Sequence, residues 1–431
     1  MNITLLTMGT LGDLRPFLAL ALGLQETGHQ VSLAAPENFE TYLQQFPISY
    51  NSLAGNTQEI LESEEGRRWM ASGNVKEFMK ALQRISHEIR YELQRDLFLA
   101  CQDCDVMIVH PLLLPHVTTL SEKLKKPFLL ATPFPFVSTT KEFPQFLVRA
   151  KRLPFGFMNQ LTHQVFSKVW QNSNAGDINE WRSQLELAPL RGSVFKRLAQ
   201  QRIPILHAYS PSIIPHPKDW GDHNFITGQW KMDDKYIPKH SEEKTSDHLA
   251  AWLDRGQAPI YFGFGSLPVL EPQNMIDMVL DITKSLNARA IVASGWSNMT
   301  VEGTPLQDSV FMIKSAEHEW LFPRCSCVIH HGGAGTTHTA LASGTPSMIC
   351  STYADQPFWG ERITELNVGR HLPFPKMTKE NLTRAIQDLQ DESVKARAAE
   401  LGKSIKAENG LQNAMDWLEK HLSAVPIYTS N

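Results

Sequence analysis

The sequence predicts an α/β protein of two doubly wound parallel-sheet domains facing across a cleft. Three observations predict it. Short apolar runs alternate with longer amphipathic stretches, the rhythm of β-strand, helix, β-strand units. That rhythm occurs twice, before residue 210 and after residue 259, with a polar, aperiodic stretch between. The chain has 431 residues, too many for one ordinary core and suited to two.

Each element follows in order. Residues 3–7 read as the first strand and 17–27 as an apolar-faced helix, with Gly28 as its C-cap. Residues 30–34 are the second strand, and His29 at that joint reads as structural. Further strands are expected at 106–109 and 128–131, and 205–209 closes the first sheet. The second series is 260–263, 290–293, 310–313, 328–329 and 347–350. A final helix is expected at 411–421, after Gly410. The expected domains are residues 1–226 and 246–409, joined by a linker at 227–245 and followed by a C-terminal helical segment at 410–431.

Composition narrows the function. Hydrophobic content of 42% with 20% charged residues describes a globular protein in water. A net charge of -4 provides no basic field for nucleic acid, so no nucleic-acid partner is expected. No apolar run approaches the roughly 18 residues that span a bilayer. The opening MNITLLTMGTLGD lacks a basic n-region and a cleavage site, so it reads as a strand and the expected location is the cytoplasm. Five cysteines, an odd number, argue against a disulfide framework. Cys101 and Cys104 form a CxxC with no second ligand pair at zinc spacing and read as small core residues.

The most informative stretch is 330–356, HHGGAGTTHTALASGTPSMICSTYADQ. Cys327, Val328 and Ile329 before it look like a buried parallel strand. Gly332, Gly333 and Gly335 permit a sharp turn and close approach of a ligand. Thr336 and Thr337 are expected to start a helix whose free N–H groups and positive end favour phosphate oxygens. His331 could donate to the same phosphates. Asp355 and Gln356 offer two acceptors and an amide, suited to vicinal sugar hydroxyls.

These residues carry a specific resemblance. HHGGAGTT followed by ADQPFWG resembles the nucleotide-sugar signature of the UDP-glycosyltransferase superfamily, glycosyltransferase family 1. Its wording is most similar to the sterol and lipid glucosyltransferase branch and to bacterial enzymes that glycosylate macrolides and glycopeptides. The resemblance implies the GT-B architecture, two Rossmann-like domains with ligands beyond the carboxyl ends of the strands. It implies a UDP-sugar donor as co-substrate, no metal cofactor and a C-terminal helix that packs back on the N-terminal domain.

The opening GTLGDLRPFLALALGLQETGH resembles the same branch, where an acid in Asp13's place is the general base. Such a base takes the acceptor hydroxyl proton as its oxygen attacks the anomeric carbon. Asp13 can also be a helix cap, and the two roles are compatible. His110, after the strand 106–109, is either a partner of Asp13 in a swapped acid–histidine pair or a structural histidine. Gly265 and Ser266, in GFGSL, correspond to the family's serine turn against the diphosphate. Ser315 and Ala316 are expected to meet the uracil base through backbone groups, with Trp296 lining that end and Trp320 packing. The acid that holds the ribose in plant enzymes falls near Thr339 here, a departure. Asp103-Cys104-Asp105 has the DxD pattern of metal-dependent transferases but lies in the wrong domain, so no metal site is expected.

Residues 132–170 are rich in aromatics and prolines with interleaved Lys141, Arg149, Lys151 and Arg152. Phe134, Phe136, Phe143 and Phe146 are the expected acceptor-binding residues of a lipophilic pocket. The same composition suits peripheral contact with an anionic membrane surface. The resemblance implies inverting, metal-independent transfer of a hexose, glucose foremost, from a UDP-sugar to a hydroxyl of a sterol, terpenoid or polyketide-like acceptor. The alternatives are a UDP-sugar epimerase on the same architecture and a catalytically silent activator of a partner enzyme.

Overall fold

In the computed structural model of the chain, the described residues are 1–57, 59, 63, 66, 75–148, 153–236, 243–264, 272–294 and 305–430. The chain divides into two compact units, one of Met1–Gln58, Met79–Ile237 and Asn409–Asn431, the other of Glu59–Phe78 and Pro238–Glu408.

The first unit is built on β1 (Asn2–Leu6), β2 (Gln30–Pro36), β3 (Ser49–Leu53), β4 (Val106–Val109), β5 (Phe128–Thr132), β6 (Ile205–His207) and β7 (Asn224–Ile226). Among the described residues they form one sheet in the order β3-β2-β1-β4-β5-β6-β7, with every pairing parallel. β4 and β5 are buried along their whole length, as continuous apolar strands are when both faces of a sheet are covered. β7 lies beyond β6, so the expectation that 205–209 closes the sheet is corrected. β3 (SYNSL) is mostly polar and β7 (NFI) has only three residues, so neither carries an apolar run long enough to announce it.

Helix α1 (Leu11–Glu26) begins six residues before the expected start at Phe17. Thr10 and Asp13 form a capping box that secures the first turn, and Pro16 is tolerated inside the helix. The long helix α2 (Gly156–Gln184) turns Phe166, Trp170 and Trp181 inward.

The second unit contains β8 (Ile260–Gly263), β9 (Ala290–Ala293), β10 (Pro305–Gln307), β11 (Val310–Ile313), β12 (Cys327–His330), β13 (Ser347–Ile349) and β14 (Gly369–His371). Their order is β10-β11-β9-β8-β12-β13-β14. All pairings are parallel except the antiparallel β10–β11 edge. Helix α3 (Ala334–Ser343) follows β12, and α4 (Gln356–Glu365) follows β13.

The expected linker, 227–245, is corrected by packing at both ends. Trp230 is buried in the first unit's core, where its indole N–H donates to Thr227 Oγ1 at 2.9 Å. At the other end a helix already runs over Glu243–Leu253. The closing helix α5 (Gly410–His421) lays Ala414 and Leu418 into the same core as α1. Gly410 is required there, because a Cβ would strike the backbone of Gly228 and Gln229. Beyond α5, Tyr428 is fully buried with its ring near Phe128, and its hydroxyl accepts from Arg197 Nη1 at 3.0 Å.

This topology fixes where chemistry can sit. In the first sheet the strand order reverses between β1 and β4, and in the second between β8 and β12. Loops at the carboxyl ends of those strands border the crevices where doubly wound sheets bind ligands.

Candidate functional site

At the switch point of the first unit, β1 delivers Asp13 and β4 delivers His110. Asp13 stands at the third position of α1. Its Oδ2 accepts from Thr10 N at 2.7 Å and from Thr10 Oγ1 at 3.2 Å. Its Oδ1 lies 3.4 Å from His110 Nε2, an ion-pair distance without hydrogen-bond alignment. The Asp13 side chain keeps 17% exposure while that of His110 has none. His110 Nδ1 accepts from Leu112 N at 3.4 Å, which assigns the ring proton to Nε2, on the side of the carboxylate. Gly9 makes this possible: its φ is +131°, and a Cβ there would collide with the Asp13 carboxylate. Asp13 is thus both cap and acid, and one oxygen serves each arrangement.

Phe17 and Phe134 meet the His110 ring edge-on, at 5.8 and 6.0 Å between centroids. Phe134 leads into an aromatic cluster of Phe136, Phe146, Phe166, Trp170 and Phe195. All four expected acceptor residues, Phe134, Phe136, Phe143 and Phe146, are buried. Phe134, Phe136 and Phe146 pack against one another, and Phe136, Phe143 and Phe146 meet rings of α2. A small apolar cavity lies beneath them, lined by Leu114, Trp170, Ile178, Leu190, Val194 and Phe195.

In the second unit, β12 ends in His330 and the chain turns through Gly332 at φ +97°. A Cβ at Gly332 would collide with Ile349 and crowd Gln356. Helix α3 starts at Ala334, two residues earlier than expected, with Gly333 as N-cap. Its first intrahelical bond runs from Thr337 N to Gly333 O at 2.9 Å, so the amides of Ala334, Gly335 and Thr336 precede it. A Cβ on Gly335 would meet nothing described within 4 Å. Thr337 is a correction: it is buried, and its hydroxyl also donates to Gly333 O, at 2.9 Å.

His331 lies over this turn, its Nε2 only 2.7 Å from where a Gly333 Cβ would stand. Its Nδ1 is buried without a partner among the described residues. Burial holds His331 down at a pKa of about 4, so the ring is neutral at pH 7. His330 Nδ1 accepts from Gly332 N at 3.1 Å, and burial pushes its pKa well below the ordinary value.

Asp355 and Gln356 open α4. Gln356 Oε1 accepts from Thr352 N at 2.8 Å, from Thr352 Oγ1 at 2.9 Å and from Tyr353 N at 3.3 Å. That oxygen holds the 352–356 turn. Asp355 Oδ2 accepts from Trp359 Nε1 at 2.7 Å. Trp359 is fully buried, and its ring meets His338 edge-on at 4.9 Å. His338 Nδ1 donates to Ala334 O at 2.7 Å, at the first residue of α3. Ala354, just before Asp355, has φ +52°, a left-handed conformation unusual for a residue with a Cβ.

Trp359, His338, Ser351 and His371 escaped the sequence reading. Ser351 Oγ lies 2.7 Å from His371 Nε2, and His371 Nδ1 lies 2.9 Å from Glu361 Oε1, which ties the loop after β13 to β14 and α4. Only Trp359 had a signal, standing one helical turn after Asp355.

Gly265, Ser266 and Trp296 lie outside the described residues. Ser315 is exposed and Ala316 half-buried, directly after β11, with Ala316 and Trp320 packed on the second unit's core. Asp105 precedes β4, at the amino end of the strands, and accepts from Asn2 N at 2.7 Å. The five cysteines are free and buried, and burial pushes the Cys104 thiol up to about 11.

Residues 3–144 match the glycosyltransferase family 28 N-terminal domain, and residues 278–417 match the erythromycin biosynthesis protein CIII-like C-terminal domain. The chain is 31% identical to a sterol 3-beta-glucosyltransferase of Arabidopsis thaliana, over 98% of this chain and 68% of that protein. It is 29% identical to a sterol 3-beta-glucosyltransferase of Komagataella phaffii, over 98% of this chain and 34% of that protein. The chain thus spans about two-thirds of the plant relative and a third of the yeast one. The crystal structure of the glycotransferase of kitacinnamycin superposes with a TM-score of 0.70 at 14% identity, covering 97% of this chain and 98% of that one.

Proposed function

The chain belongs to the UDP-glycosyltransferase superfamily, on the branch of the sterol 3-beta-glucosyltransferases, and has the GT-B fold; from that premise we propose that it transfers glucose from UDP-glucose to a hydroxyl of a lipophilic acceptor, with inversion and without a metal ion. The acceptor class follows the plant relative's name and the aromatic surroundings of His110.

In this reading Asp13 is the base. The acceptor oxygen attacks the anomeric carbon, the bond from that carbon to the diphosphate oxygen breaks, and UDP leaves with the electron pair. The acceptor proton passes to Asp13 as the new glycosidic bond forms. His110 Nδ1 accepts from Leu112 N, and the buried ring turns its Nε2 towards Asp13. That nitrogen faces Asp13 Oδ1 at 3.4 Å.

The leaving diphosphate is met by the amides of Ala334, Gly335 and Thr336 at the positive end of α3. Neutral His331 adds a hydrogen bond rather than a charge. Asp355 accepts from sugar hydroxyls, and the turn clamped by Gln356 Oε1 sets its place. The family resemblance assigns Gly265 and Ser266 to the diphosphate, and Ser315 and Ala316 to the uracil.

The observation that carries this reading is the Asp13 carboxylate at the β1–β4 switch point, with one oxygen fixed as a cap and the other facing a buried histidine. Mass spectrometry of the protein with UDP-glucose and a panel of sterols, terpenoids and polyketides tests it, with chelator present. A hexose adduct with a β-anomeric coupling in its NMR spectrum is the expected product. Epimerised UDP-sugar without any adduct, or dependence on divalent metal, would contradict it.

A further inference from the structure

The loop that leads from β13 to Asp355 is held from outside by three side chains in line. Ser351 Oγ lies 2.7 Å from His371 Nε2, and His371 Nδ1 lies 2.9 Å from Glu361 Oε1. Ser351 stands near the start of the loop, His371 at the end of β14 and Glu361 on α4. An ionised carboxylate only accepts, so the ring proton facing it sits on Nδ1 and donates to Glu361. In the neutral ring, Nε2 then accepts from the Ser351 hydroxyl. Serine, histidine and carboxylate in this order also make an acyl-transfer triad, but a nucleophile needs an open path to its substrate, and Ser351 is only 3% exposed.

The path of the chain shows what these contacts brace. Residues 351–361 run through Asp355 into α4, and His371 holds both ends of that segment. The main chain reinforces the first end: Ser351 O accepts from Phe374 N and Ile349 O from Leu372 N, each at 2.9 Å. The other end depends on Gly360, where a Cβ would stand 2.4 Å from His371 Cδ2. Between the ends, Ala354 is kept at φ +52°, directly before Asp355. A residue with a Cβ stays in that conformation only where its surroundings over-determine it. Gln356 Oε1 restrains the turn from within, and His371 restrains it from outside.

We propose that His371 is a positioning residue for the donor sugar: by tying Ser351 to Glu361 it fixes the Asp355 carboxylate, and so sets affinity for the hexose rather than for the nucleotide. This rests on the reading of Asp355 as the group that meets the sugar hydroxyls.

The test is calorimetric titration of the full chain with UDP-glucose and, separately, with UDP, which needs no acceptor. His371→Leu removes both contacts and is expected to weaken UDP-glucose by about tenfold, the worth of one hydrogen bond to the sugar, with UDP affinity unchanged. Unchanged UDP binding also reports that the unit is folded. Ser351→Ala should act in the same direction, and combining it with His371→Leu should add nothing, since both break one brace. His371→Gln, which keeps a polar end towards Ser351, should recover part of the loss. Equal weakening of UDP and UDP-glucose, or additive effects of the two substitutions, would overturn the proposal. So would labelling of Ser351 by a fluorophosphonate, which would reveal a nucleophile. Asp355→Asn separates this proposal from the reading beneath it. If Asp355→Asn selectively loses UDP-glucose while His371→Leu does not, only the role of His371 falls. If the wild type does not bind UDP-glucose, or Asp355→Asn binds it equally well, the sugar reading of Asp355 falls and the proposal with it.

Discussion

Asp13 shows how one side chain can hold two positions at once. Its Oδ2 closes the capping box of α1 and its Oδ1 faces His110, so the helix start and the proposed base are one arrangement. The acid after the first strand was legible in the sequence, and so was His110 as one of two readings, partner or structural histidine; the choice between them was not, because β4 lies about a hundred residues away in the chain and only the β1–β4 pairing brings the two together. Gly9 is the sensitive point. Gly9→Ala adds a methyl against the carboxylate at φ +131° and should reduce turnover by about a hundredfold while leaving UDP binding unchanged by calorimetry. His110→Gln keeps a donor but loses the ring's packing on Phe17 and Phe134. It should lower kcat by about tenfold or more with little change in the KM of UDP-glucose. A KM effect with kcat intact would assign His110 to binding instead.

Elements were legible wherever burial is continuous. β4, β8, β9 and β11 match their apolar runs, since a strand covered on both faces must be apolar throughout. The edge strands β3, β7, β10 and β14 were not legible, being short and partly polar. The two faces of α2 could not be separated either, because apolar residues recur on both and only packing decides which is core. Helices α3 and α4 are joined by a chain no motif announces: Asp355 to Trp359, Trp359 to His338, and His338 to the first carbonyl of α3. Trp359→Phe keeps an aromatic ring in place but removes the indole N–H together with the pyrrole half of a fully buried side chain. The KM for UDP-glucose should rise by about tenfold, the worth of one hydrogen bond to a carboxylate, while inhibition by UDP alone stays unchanged. Equal weakening of UDP and UDP-glucose would place Trp359 outside sugar recognition.

Across both units, buried histidines set a pH limit. His116, His163, His331 and His338 are held at about 4 and His207 at about 3, all by burial. Their folded pKa values lie below the unfolded 6.5, so the unfolded chain takes up protons first as pH falls. The stability they contribute is full above pH 6.5 and is lost progressively down to about pH 4. Each histidine contributes a slope of about 1.4 kcal/mol per pH unit in that window, and denaturant midpoints should fall steeply between pH 6.5 and 5. A flat profile would mean that these rings protonate freely in the folded state. If α3 and α4 hold the donor and Asp13 takes the proton, binding and transfer can be separated by one substitution. Asp13→Asn, with hexose transfer and UDP-glucose affinity measured on the same preparation, should reduce transfer by a factor of about a hundred to ten thousand and leave affinity unchanged; near-normal transfer by Asp13→Asn would mean that another group is the base.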